Sequence, residues 1–397
     1  MHQTHNLQQR MRLFISIFLP ILIYQLANFS ASFVDTTMTG QYDTLHLAGV
    51  SMATSLWIPF FDLLIGIVSA LVPIIGHHLG QGKKEKIASD FYQFIYLSLG
   101  LSLILFALVF VGAPLVLSHL GLEPLVEEVA KNYLWYLALG IIPLLLFSTI
   151  RSLFDALGLT KLSMYLMLLL LPLNGSFNYA LIYGAFGFPE MGGAGAGLGT
   201  SLAYWVLLLI SLLVAVKHPK IRAYELWKIR PLDKKGLIEG IRLGLPIGGT
   251  VFAEVVIFSV VGLVMAKFSS LIIASHQAAM NFSNLMYAFP MSISTSMSII
   301  VSYEIGANRP DDVKKFCKLG RLTALGIAGF TFLFLYILRD RVAALYGSDT
   351  EFIRMTSVFL TYSLFFQLAD TFAAPLQGIL RGYKDTQVPF YLGLIAY

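Results

Sequence analysis

Three carboxylates stand inside long apolar stretches: Glu254, Asp370 and, nearer the end of its stretch, Asp35. A charged group in hydrocarbon costs roughly 2.5–3.5 kcal/mol on insertion scales, so such residues mark function by default. Each sits on a polar stripe. Gln25, Asn28, Ser32, Asp35 and Thr39 recur at spacings of three and four, as do Ser363, Gln367, Asp370, Ala374 and Gln377. Gln277, Asn281 and Asn284 form a third such face. This spacing aligns side chains along one side of a helix, and lipid cannot satisfy them, so the stripes must face protein or water. Carboxylate, amide and hydroxyl oxygens suit a hard cation or a proton. Glu254 and Asp370 are therefore expected to hold a monovalent cation such as Na⁺, with Gln277, Asn281 and Gln367 as helpers. Asn28, and Asn174 and Asn178 one helical turn apart, are candidate cavity-lining residues, and Asp35 a candidate second coupling group. The plainer alternative is that these groups only join helices, at about 0.6 kcal/mol per bond. Asp62 and Asp155 are weaker candidates; Asp155 stands four residues from Arg151, a spacing that suits a local ion pair. His77 and His78, beside lysines, read as interfacial anchors.

The elements that position these groups follow from composition. Of 397 residues, 57% are hydrophobic and 12% charged, about half the charge of a soluble domain. Runs of roughly twenty apolar residues span a bilayer as helices. Spans are expected near 13–38, 46–76, 88–117, 129–157, 162–186 and 194–216, then near 238–266, 271–304, 316–338 and 352–380, with an eleventh opening near Val388. Pro59, Pro73, Pro143 and Pro290 should kink their helices. With the N-terminus inside, 22 of the 27 basic residues fall on the inner side; only Lys131, Lys267, Arg339, Arg341 and Arg354 fall outside. That asymmetry orients the chain with a cytoplasmic N-terminus and assigns the net charge of +5 to topology rather than to nucleic acid. The first apolar run has no small-residue cleavage site and is read as a span, not a signal. The single cysteine, Cys317, excludes an intrachain disulfide and a cysteine metal cluster.

The chain repeats. At an offset of 226 residues Leu19-Pro20-Ile21 falls on Leu245-Pro246-Ile247, Ala27 on Ala253, Ala48 on Ala274, Ala53 on Ala279 and Gly80 on Gly306. Asn28 falls on Glu254, so the polar position recurs but the charge does not. The expected fold is an all-α polytopic membrane protein of two six-helix lobes. An even span count starts both lobes on one side and relates them by a pseudo-twofold along the membrane normal. Residues 1–216 form the first lobe, 217–237 a cytoplasmic linker and 238–397 the second lobe, whose last helix is expected to be missing from this chain. The glycine-rich 192–199 lacks the lysine and hydroxyl of a phosphate loop and reads as close helix packing. With no nucleotide-binding loop, an ion gradient or a partner must supply the energy. No cofactor is expected, and no enzyme: only His276 offers a base near mid-span.

These residues resemble the multidrug and toxic compound extrusion (MATE) family, in its NorM-type bacterial branch. The resemblance is carried by Val34-Asp35-Thr36-Thr37-Met38-Thr39-Gly40, Leu245-Pro246-Ile247 with Glu254, and Ala274-Ser275-His276-Gln277-Ala278-Ala279. The fourth segment is Gln377-Gly378-Ile379-Leu380-Arg381-Gly382-Tyr383-Lys384-Asp385-Thr386. It implies twelve helices in two lobes and exchange of cationic drugs for Na⁺ or H⁺ across a bacterial cell membrane. It also implies cation binding at Glu254 and Asp370 and coupling at Asp35. The expected partners are lipophilic organic cations and the bilayer, for a protein working as a monomer. The alternative is a lipid-linked precursor flippase of the same broad superfamily, which should carry cationic residues inside the membrane.

Overall fold

The computed structural model describes residues 3–265, 268–347 and 349–396; Lys267 lies outside them. The first span is α1 (Leu7–Tyr42), the second α2 (Thr44–Ser69) continued by α3 (Leu71–Gly80). The third is α4 (Lys84–Ala107), joined through a π-helical turn at Leu108–Gly112 to α5 (Ala113–His119). The fourth is α6 (Pro124–Ala138) and α7 (Ile141–Ala156); α8 (Thr160–Ile182) and α9 (Gly193–Lys217) complete the first lobe. The short α10 (Pro219–Arg222) belongs to the connection. The second lobe holds α11 (Lys234–Met265), α12 (Ser270–Gly306), α13 (Pro310–Ala344), α14 (Thr350–Gly382) and α15 (Gln387–Ala396). Among the described residues, nine helices are long and apolar enough to cross a membrane, or ten if the bent α6–α7 pair counts as one. The protein is a multi-pass membrane protein.

The 226-residue repeat reappears in the helix boundaries. Shifted by that offset, Thr44–Gly80 becomes α12 and Pro124–Ala156 becomes α14. Residues 84–119 likewise overlay α13, and α15 begins where a copy of α8 should. One difference stands out. The fourth span bends by 49°, whereas its copy α14 is a single helix. Pro143 cannot donate to the carbonyl of Leu139; the Trp205 indole does so instead, at 3.1 Å. Ser201 takes the neighbouring carbonyl of Tyr136 at 2.7 Å.

The lobes meet where α2 packs on α11, α3 on α12 and α1 on α12. At the basic face, residues touch their own repeat counterparts. A methyl group on Gly76 would strike Ser302; one on Gly80 would strike the Tyr303 carbonyl and Gly306; one on Gly306 would strike the His77 carbonyl. His77 and Tyr303 are themselves 226 residues apart. Reciprocal contact of this kind places the pseudo-twofold axis between α3 and α12. The axis runs along the membrane normal, because both helices descend toward the same face.

Hydrogen bonds and an ion pair reinforce this seam. Arg10 meets Asp312 at 3.2 Å, and the His77 imidazole meets the Gly382 carbonyl at 2.8 Å. His77 is thus a lobe-to-lobe contact rather than an interfacial anchor, and His78 pairs with Asp90 at 3.2 Å. Because no side chain fits between the helices, Gly80→Ala and Gly306→Ala are each expected to destabilise the protein by about 1–3 kcal/mol. Their effects should fail to add in the double variant, since both act on one contact. Thermal melts in detergent read both quantities, and additive losses would place the two glycines in separate contacts.

Candidate functional site

In the second lobe, Asp370, Gln367 and Thr371 of α14 line a small cavity with Met286, Tyr287, Phe289 and Pro290 of α12 and Ile327 and Thr331 of α13. Its volume is about 10 Å³, the space of a single water or a bare small cation. Two prolines free backbone carbonyls of residues in its wall. Pro290 cannot donate to the carbonyl of Met286, nor Pro375 to that of Thr371, because each lacks the N–H that a helix places there. Both freed carbonyls belong to residues lining the cavity, the arrangement in which broken helices expose backbone oxygens to cations. The buried amide nitrogen of Gln367 has no protein partner. Turning the amide over presents its oxygen instead.

Glu254, on α11, accepts a hydrogen bond from Tyr287, and Asp370, Arg381 and Asp62 lie within electrostatic reach of it. Arg381 is the last-turn base of α14. Side chains tilt toward a helix's N-terminus, here away from the basic face, so Arg381 reaches toward Tyr287 and Glu254. It is a cation beneath the carboxylates, not a loop residue. The site thus gathers carboxylates, a phenol and an amide, oxygen donors that suit one monovalent cation. Among the described residues no group of three His, Cys, Asp or Glu could hold a metal ion.

The first lobe holds a second cluster. Asn178 donates to the Asp35 carboxylate and its amide lies 3.0 Å from the Asn174 oxygen. Asn174 in turn donates to Thr200 at 3.0 Å. Both asparagines are buried. A methyl group on Gly199 would strike the Asn178 amide oxygen, and one on Gly195 the Leu181 carbonyl. The glycine-rich run thereby lets α9 press on α8 closely enough to bring Thr200 to Asn174. Tyr133 and Tyr204 lie within electrostatic reach of Asp35. Thr200 and the two tyrosines escaped the sequence reading; the glycine run beside Thr200 was the available signal.

The remaining candidates lie elsewhere. Asn28 and Gln277 are exposed, and Asn281, also exposed, accepts a hydrogen bond from Tyr346 at 3.0 Å. That bond ties Asn281 to the far end of α13, about two turns from Tyr287 along α12. Asp155 is buried and accepts from Ser163 at 2.6 Å and Tyr24 at 3.3 Å. Arg151 covers the Tyr24 ring, 5.0 Å away, so Asp155 is held by hydroxyls rather than by the expected local ion pair. His276 packs edge-on to Phe359 at 5.3 Å.

Against known proteins, the MatE family profile matches residues 20–180 and 246–397, one segment in each lobe. The chain belongs to the MatE family. It is 71% identical over 397 residues to the "Probable multidrug resistance protein NorM" of Streptococcus pneumoniae serotype 4 (strain ATCC BAA-334 / TIGR4), covering 100% of this chain and 88% of that protein. The protein so named in Bacillus subtilis (strain 168) is 38% identical, over 100% of this chain and 88% of its own. Among solved structures, the chain superposes on an outward-facing multidrug resistance MATE family transporter with TM-score 0.84, at 17% identity, covering 99% of this chain and 88% of that one. A MOP superfamily transporter from Pyrococcus furiosus, described by the reverse polarity of its binding pocket, superposes with TM-score 0.85 at 16% identity, over 99% and 88% of the two chains. One fold therefore accommodates pockets of different polarity, and the substrate's charge must be argued from this family member's own residues.

Proposed function

We propose that this MatE protein is a secondary multidrug efflux transporter, exchanging lipophilic organic cations for Na⁺ or H⁺ by alternating access. The observation that carries the reading is the pairing of Glu254 with Asp370, which with Tyr287 and Gln367 lines a small cavity of cation size. Glu254, Asp370 and Asp62 outnumber Arg381, so the carboxylate region is net negative and suits a cation better than the anionic headgroup a flippase would take. The NorM-named relatives agree with drug export. The basic loops face the cytoplasm, together with the N-terminus, and one chain suffices for both sites.

A bound ion and a drug alternate because each favours a different lobe arrangement; a ligand shifts an equilibrium only by its differential affinity for the two states. An ion between Glu254 and Asp370 cancels negative charge that would otherwise attract the drug, and so promotes release outside. The cytoplasmic seam of Gly76, Gly80, Ser302 and Gly306 must part for the drug to enter from inside. Efflux of ethidium from membrane vesicles, driven separately by imposed Na⁺ and pH gradients, tests the reading. One gradient is expected to drive dye movement, and failure of both would overturn ion-coupled export.

A further inference from the structure

The connection between the lobes is ordered and pinned to the first lobe. The Tyr92 hydroxyl donates to the Leu226 carbonyl at 2.6 Å and the Tyr96 hydroxyl to that of Arg230 at 2.7 Å. The Gln93 amide bonds the Pro231 carbonyl and the Asp233 N–H. Ile221 and Leu226 are buried, while Trp227 and Ile229 stay exposed. An open cavity of about 440 Å³ lies against this connection, lined by Lys217, Pro219, Arg222, Ala223, Glu225 and Trp227. Glu225 is engaged by Lys228 at 2.7 Å. Among the described residues neither Lys217 nor Arg222 has an acidic partner. Lys217 closes α9, whose last turns present exposed Leu209, Leu212, Leu213 and Val216. Acyl chains on that face would bring a headgroup directly to the two bases, with the Trp227 ring at the interface where indoles concentrate.

We propose that Lys217, Arg222 and Trp227 form a binding site for the phosphate headgroup of an anionic phospholipid. The lipid lies in the leaflet that meets the basic face. Two unpaired cations over lipid-facing helix supply charge complementarity to such a leaflet, and the pinned connection holds them at fixed spacing. A lipid seated there braces the only covalent link between the lobes.

The test uses the full chain in neutral detergent, with binding of short-chain phosphatidylglycerol, phosphatidylcholine and inorganic phosphate followed by thermophoresis. Phosphatidylglycerol is expected to bind in preference to phosphatidylcholine. The double variant Lys217→Gln/Arg222→Gln should weaken it by about thirtyfold. Lys234→Gln/Lys235→Gln removes the same charge from the same face outside the cavity and should leave binding nearly unchanged. The double exchange Lys217→Arg/Arg222→Lys should retain it. Equal loss in the two charge-removing variants would reduce the effect to diffuse attraction and overturn the site. Equal affinity for phosphatidylcholine would overturn it as well, and inorganic phosphate competing as well as the lipid would make it a soluble-anion site. All substituted positions are solvent-exposed, and melting curves of each variant verify that the fold is kept.

Discussion

Glu254→Gln and Asp370→Asn should each abolish measurable dye efflux while leaving a folded protein in the membrane. Each change preserves shape and removes one half-buried charge. Truncating one partner of a buried, hydrogen-bonded charge cluster costs about 2–5 kcal/mol of ligand affinity, so cation binding should weaken by at least roughly thirtyfold. Stability should not fall in parallel, because a carboxylate in a poorly solvated site is itself a burden on the fold. Tyr287→Phe separates positioning from charge. It removes a single hydrogen bond to Glu254, worth about 1.5–3 kcal/mol when one partner is ionised, and should reduce ion affinity without eliminating transport. Arg381→Gln should act in the opposite direction on ion affinity, since it withdraws a competing positive charge from beneath Glu254. Drug efflux and Na⁺ binding measured on the same four variants separate these effects. Undiminished efflux in both carboxylate variants would remove the proposed site altogether.

Much of the architecture was legible because lipid imposes simple rules on sequence. Apolar runs marked spans close to the observed helices, and an offset seen in a handful of residues, such as Leu19-Pro20-Ile21 against Leu245-Pro246-Ile247, returned in the helix boundaries. What periodicity cannot supply is which helices become neighbours. Asn281 shares a stripe with Gln277, yet tertiary packing gives it to Tyr346. Thr200 and Tyr133 carry no pattern of their own and gain meaning only once α6, α8 and α9 surround Asp35. Pro290 was legible as a kink, but that it borders a cavity shared with Gln367, Asp370 and Thr371 of α14 was not. Arg381 ends a span, where a base is ordinarily a boundary residue, and the tilt of side chains along α14 turns it inward toward Glu254. In each case the residue type was informative and its partner was not, since partners are chosen by the crossing of helices far apart in the chain.

Asp35→Asn should make transport insensitive to pH while leaving the Na⁺ response of the second lobe largely intact. The expectation rests on separation: Asp35 bonds Asn178 on α8, next to Asn174 and Thr200, whereas Glu254 and Asp370 belong to α11 and α14. Among the described residues no second carboxylate hydrogen-bonds into the Asn174–Asn178–Thr200 network, so a proton at Asp35 changes the charge of the first lobe by a full unit. That change rearranges its hydrogen bonds, because a protonated carboxyl donates where the carboxylate only accepted. The Asn178 amide nitrogen already donates to both Asp35 and Asn174. A protonated Asp35 leaves that amide's oxygen, otherwise unpartnered, as the natural acceptor, reached by an amide flip against Gly199. The flip is a two-state element of the kind that lets a local charge change move a helix interface. Asparagine at position 35 mimics the neutral form permanently, so drug affinity should match that of the wild type at low pH and stay constant as pH rises. Gly199→Ala should crowd the Asn178 amide in either orientation, displacing it from Asp35, and so blunt the pH response with Asp35 intact. Drug binding in detergent across pH and Na⁺ concentrations reads both effects. A D35N protein whose affinity still tracks pH would assign the proton to Glu254 and Asp370 instead. Wild-type binding indifferent to both ions would leave no linkage, and the antiport reading would have to be abandoned.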